Sequence, residues 1–305
     1  MGEKDIIEKK LEAYNDVFAD IVNALLFNGE RVISPEDLED QPTIAGYKAD
    51  GKIRELGRDV AKRWKKQNIR IAFIGLENQT KADRYMTLRV AGYDGVEYRA
   101  QMNNLKPGEK PYPVVTLVLY FGYESHWNQP TSLHECLEIS ERLKPFVNDM
   151  KINLFEIAFL SRKQVEMFQS DFRIVADYFV QMRENGDYIP SKEVMDHVQA
   201  VLELLNVMAE DKRFELKQNE GIKNEEVRTM ADWLTKKLNA SRAEGEMEGR
   251  QEGRQEGRQE GRQEGENRMA KLVNLLLNQG RTEDISRVTV DPEYRSQLYN
   301  EFQIA

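Results

Sequence analysis

The feature that most constrains the fold is an apolar, β-branched run that ends abruptly in polar residues. Residues 69–74 read Ile-Arg-Ile-Ala-Phe-Ile, and a run of this length predicts a buried strand. The strand continues into Gly75-Leu-Glu-Asn-Gln79, and residues two apart on a strand share a face. Glu77 and Gln79 are therefore expected to emerge side by side at the end of this strand.

A second run, Asp59 to Lys66, precedes the first and predicts a hairpin. Gln67 and Asn68 are polar enough to form the turn, and a hairpin centred near Asn68 places Asp59 opposite Glu77. Two carboxylates at hydrogen-bonding range repel each other unless a cation lies between them. Hard oxygen ligands suit Mg²⁺ or Mn²⁺, so this pair of strands predicts a metal site.

These residues carry a resemblance to a known family. Asp59, a hairpin and the triplet Glu77-Asn78-Gln79 resemble the catalytic signature of the PD-(D/E)XK nucleases. The wider sequence resembles the recombination-promoting nuclease (Rpn)/putative transposase family over residues 10–160. The matching blocks are Asn15 to Asn23, Gly75 to Thr80, Met86 to Arg89, Gly92 to Asp94, Tyr98 to Gln101 and Pro113 to Gly122, followed by Trp127 and Ser132-Leu133.

The resemblance implies an α/β, restriction-endonuclease-like core with a mixed central sheet. It also implies a metal-dependent endonuclease that hydrolyses phosphodiester bonds of double-stranded DNA in recombination or transposition. Asp59 and Glu77 would then hold Mg²⁺ or Mn²⁺ together with the backbone carbonyl of Asn78. From the first helix, Asp20 and Asn23 could help to hold the metal, and the resemblance favours Asp20 over Asp16.

Gln79 departs from the family pattern, because many relatives carry lysine at this third catalytic position. A neutral amide cannot accept a proton at ordinary pH or supply positive charge; it can orient a water molecule by hydrogen bonding. Lys81 or Arg84 could restore the charge. The departure keeps open an alternative function, in which the chain retains the fold but acts in DNA binding or self-assembly without catalysis.

Candidate DNA contacts must be local, since the formal net charge of the chain is −9. Lysine and arginine side chains supply the sequence-independent part of DNA affinity by contacting phosphates. The candidates are Lys62, Arg63, Lys65 and Lys66 around Trp64, and Lys81, Arg84 and Arg89 further along the chain. The four basic residues around Trp64 could equally well solvate an exposed hairpin.

Composition indicates a cytoplasmic protein. Cys136 is the single cysteine, so no disulfide can form within the chain, and a reducing compartment is expected. No apolar run approaches the ~18 residues that a membrane span requires, and no membrane partner is expected. The first residues, Met-Gly-Glu-Lys-Asp, lack the hydrophobic region of a signal peptide.

The periodicity predicts the order of the elements along the chain. Helices are expected over residues 6–27 and 81–104, the latter interrupted near Gly92 and Gly95, and a buried strand over 114–120. From 133 to 239 the pattern indicates helix almost throughout, including 152–160. The predicted domains are a nuclease-like domain (1–165), a helical extension (166–240), a repeat helix or linker (241–267) and a small helical module (268–305).

The tetrapeptide Glu-Gly-Arg-Gln repeats through residues 244–265, with glycine at every fourth position. On a helix this period drifts by only about 40° per repeat. Glu and Arg then lie two apart and on opposite sides, and each interior glycine costs about 1 kcal/mol against alanine, so an isolated helix is expected to be poor. The glycine stripe could allow a second helix to approach and form a homo-oligomer. The alternative is a solvated, charged spacer.

Overall fold

The computed structural model describes residues 10–49, 52–66, 69–216 and 227–304. These residues form two compact units, which divide between Thr235 and Lys236.

The first unit contains a mixed five-stranded sheet, so the predicted α/β class is confirmed. The strand order is β1-β4-β5-β6-β7; β1, β4 and β5 pair antiparallel, while β5, β6 and β7 pair parallel. Strands β2 and β3 form a separate antiparallel pair. The strands are β1 (Leu38–Asp40), β2 (Ile44–Ala49), β3 (Lys52–Gly57), β4 (Val60–Lys66), β5 (Ile69–Gln79), β6 (Val114–Tyr120) and β7 (Asn153–Glu156).

Strands β4 and β5 pair in the register that the sequence predicts. Val60 lies opposite Leu76, and the register shifts by a bulge only between Trp64 and Lys65. One step beyond Val60, the same register brings Asp59 opposite Glu77. The predicted turn at residues 67–68 lies outside the described residues.

Helices cover both faces of the sheet. The helices of the first unit are α1 (Lys10–Ala13), α2 (Asn15–Leu26), α3 (Met86–Asn104), α4 (Leu133–Cys136), α5 (Arg162–Val165), α6 (Phe172–Asn185) and α7 (Val198–Ala209). On one face, α2, α6 and α7 build the main core against Leu76, Leu117 and Leu119. On the other face, α3 places Met86, Val90 and Tyr93 against Val118.

Several predicted elements differ from the observed ones. Within the described residues, the helix predicted over residues 6–27 is divided at Tyr14 into α1 and α2. The helix predicted near residues 81–104 runs from Met86 to Asn104 without interruption at Gly92 or Gly95, because its buried residues pack on the sheet along its length. Residues 152–160, predicted as helix, instead form β7 and a 3₁₀ turn, Ile157–Phe159. A short apolar run fits either period, and here parallel pairing with β6 decides the outcome.

The second unit ends in a small cluster of helices. Helix α8 (Met230–Asn278) begins in the first unit, where Trp233 is buried, and continues past the unit boundary. Its last turns pack against α9 (Thr282–Val290) and α10 (Pro292–Glu301) around a core of Leu272, Leu276, Val288 and Leu298.

The repeat lies within α8 and is helical, with every residue from 244 to 265 exposed. Glu, Arg and Gln are good helix formers, and both ends of α8 are anchored by buried side chains, which offsets the cost of the glycines. Homo-oligomer formation through the glycine stripe stays a prediction. Among the described residues, no helix combines the length and hydrophobicity of a bilayer crossing.

Candidate active site at the end of strand β5

The end of β5 presents its polar side chains to both layers of the first unit. Glu77 is 2% exposed and faces α3, whereas Asn78 is 8% exposed and faces α1. Gln79, the last residue of the strand, is half-buried and pairs in register with Tyr120. The side chains of Glu77 and Asn78 therefore point to opposite faces of the sheet, as neighbouring residues on a strand do, and this divides the site between two faces.

Asp59 is held in place by the backbone of β5. Its Oδ2 atom accepts a hydrogen bond of 2.7 Å from the Asn78 amide, and its own amide donates to the Leu76 carbonyl at 3.1 Å. Asp59 and Glu77 therefore meet at one corner of the sheet. Burial and the charge of Glu77, with a smaller contribution from Asp59, raise the pKa of Tyr93 to about 12.

The Glu77 carboxylate is paired with Arg89 of α3. The Arg89 Nη2 atom donates to Glu77 Oε1, and the Tyr93 hydroxyl lies 3.5 Å from the same oxygen. Burial lowers the pKa of Arg89, but the charge of Glu77 together with the contacts to Asp83 and Tyr93 outweighs this effect and raises that pKa above its usual range. Arg89 therefore stays charged. An ion pair this deeply placed needs such hydrogen bonding to compensate for lost hydration.

Asp83 provides the other carboxylate for Arg89, at 2.9 Å from Nη1. Burial would raise the pKa of Asp83, but hydrogen bonds from the Tyr85 amide and from Arg89 hold that pKa below its usual value. One guanidinium thus bridges two carboxylates, Glu77 within the sheet and Asp83 in the loop between β5 and α3.

A buried brace supports the strand just behind the acids. Arg58, 6% exposed, donates to Thr116 Oγ1 at 3.1 Å and to Asp94 Oδ1 at 2.7 Å. It crosses β5 at Gly75, where an added Cβ would lie 2.2 Å from Arg58 Cδ. Glycine is therefore required at position 75. Through its bonds to Thr116 and Asp94, Arg58 connects the backbone next to Asp59 to β6 and α3.

Glu12 is a buried acid that the sequence analysis missed. It is fully buried in α1, and its Oε2 atom accepts a hydrogen bond of 2.6 Å from Asn78 Nδ2. Asn78 therefore links the first helix to the site, because its side chain contacts Glu12 while its backbone N–H holds the carboxylate of Asp59. Glu12 lies one position past Leu11 in the apolar stripe, and no spacing marks it as different from a surface acid.

The two candidates from the first helix lie in other contacts. Asp20 Oδ2 accepts three hydrogen bonds, from the amides of Gln169 and Ser170 and from the Ser170 hydroxyl. Asn23 caps the segment that follows the helix, through the Val32 and Ile33 amides. Both side chains hold neighbouring segments in place, and a metal-binding role for Asp20 stays a prediction.

The structure does not support Lys62 as a phosphate contact. Its side chain is fully buried, and Nζ donates to the Ala13 carbonyl (2.7 Å), Asn15 Oδ1 (2.6 Å) and Asp40 Oδ1 (2.5 Å). The alternation along β4 points this ammonium group inward, and three acceptors compensate for its burial. Lys62 fastens α1 and α2 to the sheet.

The remaining basic candidates differ in their exposure. Arg63 and Lys65 both contact Glu39, and Arg63 Nε also donates to the Tyr112 hydroxyl at 3.2 Å. Lys66, Lys81 and Arg84 are exposed, the last two just beyond the end of β5. Positive charge is thus available close to Gln79 even though Gln79 itself is neutral.

The donor chemistry of the corner fits a hard divalent cation. Mg²⁺ commonly binds through one or two carboxylates and keeps its remaining positions for water and substrate phosphates. Asp59 and Glu77 supply that number of carboxylates. No group of three or more His, Cys, Asp or Glu side chains suited to a metal ion occurs among the residues that the structure describes.

Comparison with protein families identifies the chain. The model of the family described as "Putative transposase, YhgA-like" matches residues 50–214, just over half of the chain. The protein belongs to this family, in agreement with the resemblance stated above. The matched segment contains Asp59, Glu77 and Gln79 as well as the helices α6 and α7. No curated protein and no solved structure matches the chain.

Proposed function

We propose that this protein is a metal-dependent DNA endonuclease with a PD-(D/E)XK-like core. The observation that carries the proposal is the β4–β5 register, which brings Asp59 and Glu77 together at one corner of a mixed sheet. Membership of a transposase family supports a role connected with transposition or recombination, and such processes require cutting of DNA. The substrate proposed is double-stranded DNA.

Asp59 and Glu77 would hold Mg²⁺ or Mn²⁺, with the Asn78 carbonyl as a further oxygen ligand. A bound divalent ion would neutralise phosphate charge, lower the pKa of a coordinated water and stabilise the leaving oxygen. Asn78 orients Asp59 through its amide, so the carboxylate is fixed before substrate arrives.

Gln79 can contribute only hydrogen bonds, and its place at the strand end suits it to orient the attacking water. Tyr93 keeps its proton at physiological pH, because its pKa is about 12, and its hydroxyl can act as a donor in the site. Lys81 and Arg84 are exposed just beyond the end of β5 and would contact phosphates near the scissile bond. Lys66 lies at the other end of the β4–β5 pair, opposite Ile69, so it could contact only a more distant part of the DNA.

The test is cleavage of supercoiled plasmid with Mg²⁺ or Mn²⁺ by wild type, Asp59→Asn and Glu77→Gln. We expect metal-dependent nicking or linearisation by wild type, and a loss of at least about 1,000-fold in each variant, because each removes a ligand charge. Glu138→Gln is the matched control, since Glu138 is exposed and lies in a loop outside the site.

Tryptophan fluorescence provides the folding control. Trp64, Trp127 and Trp233 are the three tryptophans of the chain, and all lie in the first unit. A folded wild type that leaves plasmid intact with either metal would contradict the endonuclease. DNA binding or self-assembly without catalysis would then be the function to pursue.

A further inference from the structure

Arg89 occupies an unusual position between the site and solvent. Its three nitrogen atoms have separate partners: Nη2 contacts Glu77, Nη1 contacts Asp83 and Nε donates to the Tyr93 hydroxyl at 3.0 Å. The guanidinium group therefore bridges the metal-ligand candidate Glu77 and a second carboxylate, that of Asp83 in the loop between β5 and α3.

The two partners of this ion pair differ in exposure. The Arg89 side chain is 38% exposed, whereas the Glu77 side chain is 3% exposed and the Asp83 side chain 28%. The guanidinium thus covers Glu77 on its solvent side. A divalent cation that approaches Glu77 from solvent meets Arg89 first, and the two positive charges compete for one carboxylate oxygen.

Arg89 is also well suited to a second position. Its planar fork matches the oxygens of a phosphate, and a guanidinium group is charged at every physiological pH. Asp83 can retain Nη1 while the rest of the guanidinium leaves Glu77. A phosphate bound next to Glu77 would lie within reach of a side chain that already contacts Glu77.

We propose that Arg89 is an exchangeable counter-ion of Glu77: it neutralises Glu77 when no divalent ion is bound, and it transfers to the scissile phosphate when one is. Arg89 thereby supplies the positive charge that Gln79 cannot supply. The inference rests on the proposed function, and it goes further by assigning one residue two alternating partners.

The first measurement is Mn²⁺ binding by calorimetry, in the full chain and without DNA. Removing the competing charge in Arg89→Gln should tighten Mn²⁺ binding about tenfold, in keeping with the Coulomb energy of charges a few ångströms apart. Arg99→Gln is the matched control: Arg99 lies on the same helix, is exposed and loses the same charge. We expect its Mn²⁺ affinity to equal that of wild type.

The second measurement is plasmid cleavage at saturating Mn²⁺. Arg89→Gln should cut at least about 100-fold more slowly than wild type in spite of its tighter metal binding, because a charged donor to the phosphate is lost. A residue that merely positions Glu77 would show the reverse for the metal, since a disordered carboxylate binds Mn²⁺ more weakly. Unchanged or weaker Mn²⁺ binding by folded Arg89→Gln would overturn the proposal.

Loss of Arg89 leaves Glu77 buried without this counter-ion, so folding needs its own control. Arg89→Lys keeps the charge but cannot contact Glu77 and Asp83 with one fork; it should bind Mn²⁺ about threefold more tightly than wild type. Affinity at or below the wild-type value in Arg89→Lys would equally overturn the proposal, even where Arg89→Gln does not fold.

Failure of the proposed function gives a different pattern. If wild type does not cut DNA, yet Arg89→Gln tightens Mn²⁺ binding and Glu77→Gln abolishes it, the competition at Glu77 stands and the endonuclease does not. If wild type cuts DNA and Arg89→Gln binds Mn²⁺ with the same affinity as wild type, the endonuclease proposal stands and the counter-ion exchange does not.

Discussion

The end of β5 and the repeat in α8 are both rich in charge, yet they use it in opposite ways. At β5, single acids are buried and each has a specific partner, as Glu77 has Arg89 and Glu12 has Asn78. In the repeat, all glutamates and arginines from 244 to 265 are exposed. The repeat is the more visible pattern in the sequence, but the buried acids determine the site.

The difference lies in what each charge costs when its surroundings change. A buried charge that loses its partner keeps its desolvation penalty, whereas an exposed charge is hydrated with or without a partner. Substitutions at β5 are therefore expected to have large, local effects, and those in the repeat small, additive ones.

Lys62→Met should destabilise the first unit by about 3 kcal/mol, because the Ala13 carbonyl and the Asn15 side chain lose a buried donor. Urea unfolding followed by tryptophan fluorescence measures the change. Lys66→Met, at an exposed position on the same strand, should change the free energy of unfolding by less than about 0.5 kcal/mol. Equal effects of the two substitutions would contradict the burial of Lys62.

Asn78→Ala should cost about 2 kcal/mol, since the buried Glu12 carboxylate loses its amide donor. Asn104→Ala is the control, because its side-chain amide also donates a hydrogen bond, to the Ala100 carbonyl at 2.9 Å, but at an exposed site. We expect the same urea experiment to show no more than a few tenths of a kcal/mol for Asn104→Ala.

Tyr178 should make the first unit less stable at alkaline pH. Burial, and then the charge of Asp211, raise the pKa of Tyr178 above its usual value of about 10. The folded state therefore keeps a proton that the unfolded state releases, so this contribution is present below pH ~10 and is lost as pH rises further. Tyr178→Phe should flatten the fall of stability above that pH; an unchanged slope would contradict the raised pKa.

Alanine at Gly253, Gly257 and Gly261 should stabilise α8, because an added Cβ at each position meets no atom within 4 Å beyond the nearby backbone of the helix itself. The gain is up to about 1 kcal/mol per site, seen as a higher melting temperature by circular dichroism at 222 nm. Gly75→Ala should have the opposite sign, since its Cβ would collide with Arg58. A loss of helix stability in the triple variant would mean that the three glycines lie close to other atoms, which an added Cβ would meet.

Glu266→Gln should have the smallest effect, about 0.3 kcal/mol, because the Arg262–Glu266 pair is exposed at both ends. The loss should disappear in 1 M salt, where charges at the surface are screened. Glu264→Gln serves as the comparison within the repeat itself. A loss above about 1 kcal/mol would show that Glu266 has a partner beyond Arg262.

The sequence predicts well those parts of the fold that depend on local pattern. Strand Val114–Tyr120 has the predicted bounds, and the β4–β5 register follows from two runs that flank one short turn. Residues 152–160 were predicted as helix because their apolar positions satisfy both periods; only pairing with β6, distant in sequence, distinguishes them.

The same division between local and distant contacts holds for the candidate site. Asp59 and Glu77 are adjacent in a hairpin, so local register brings them together. Glu12 and the Arg89–Asp83 contact depend on how separate helices pack onto the sheet, and no spacing in the sequence marks their partners. The position of Lys62 is also not predicted, because a lysine on a strand is expected at the surface and this one is buried.

The backbone N–H of Asn78 makes the order of the site measurable by hydrogen exchange. This N–H donates to the Asp59 carboxylate rather than to a neighbouring strand, so its exchange with deuterated solvent depends on that one side chain. Slow exchange at this single position would record an ordered Asp59. Any ligand that draws the carboxylate away would make the same amide exchange faster, while the neighbouring amides of the sheet keep their rates.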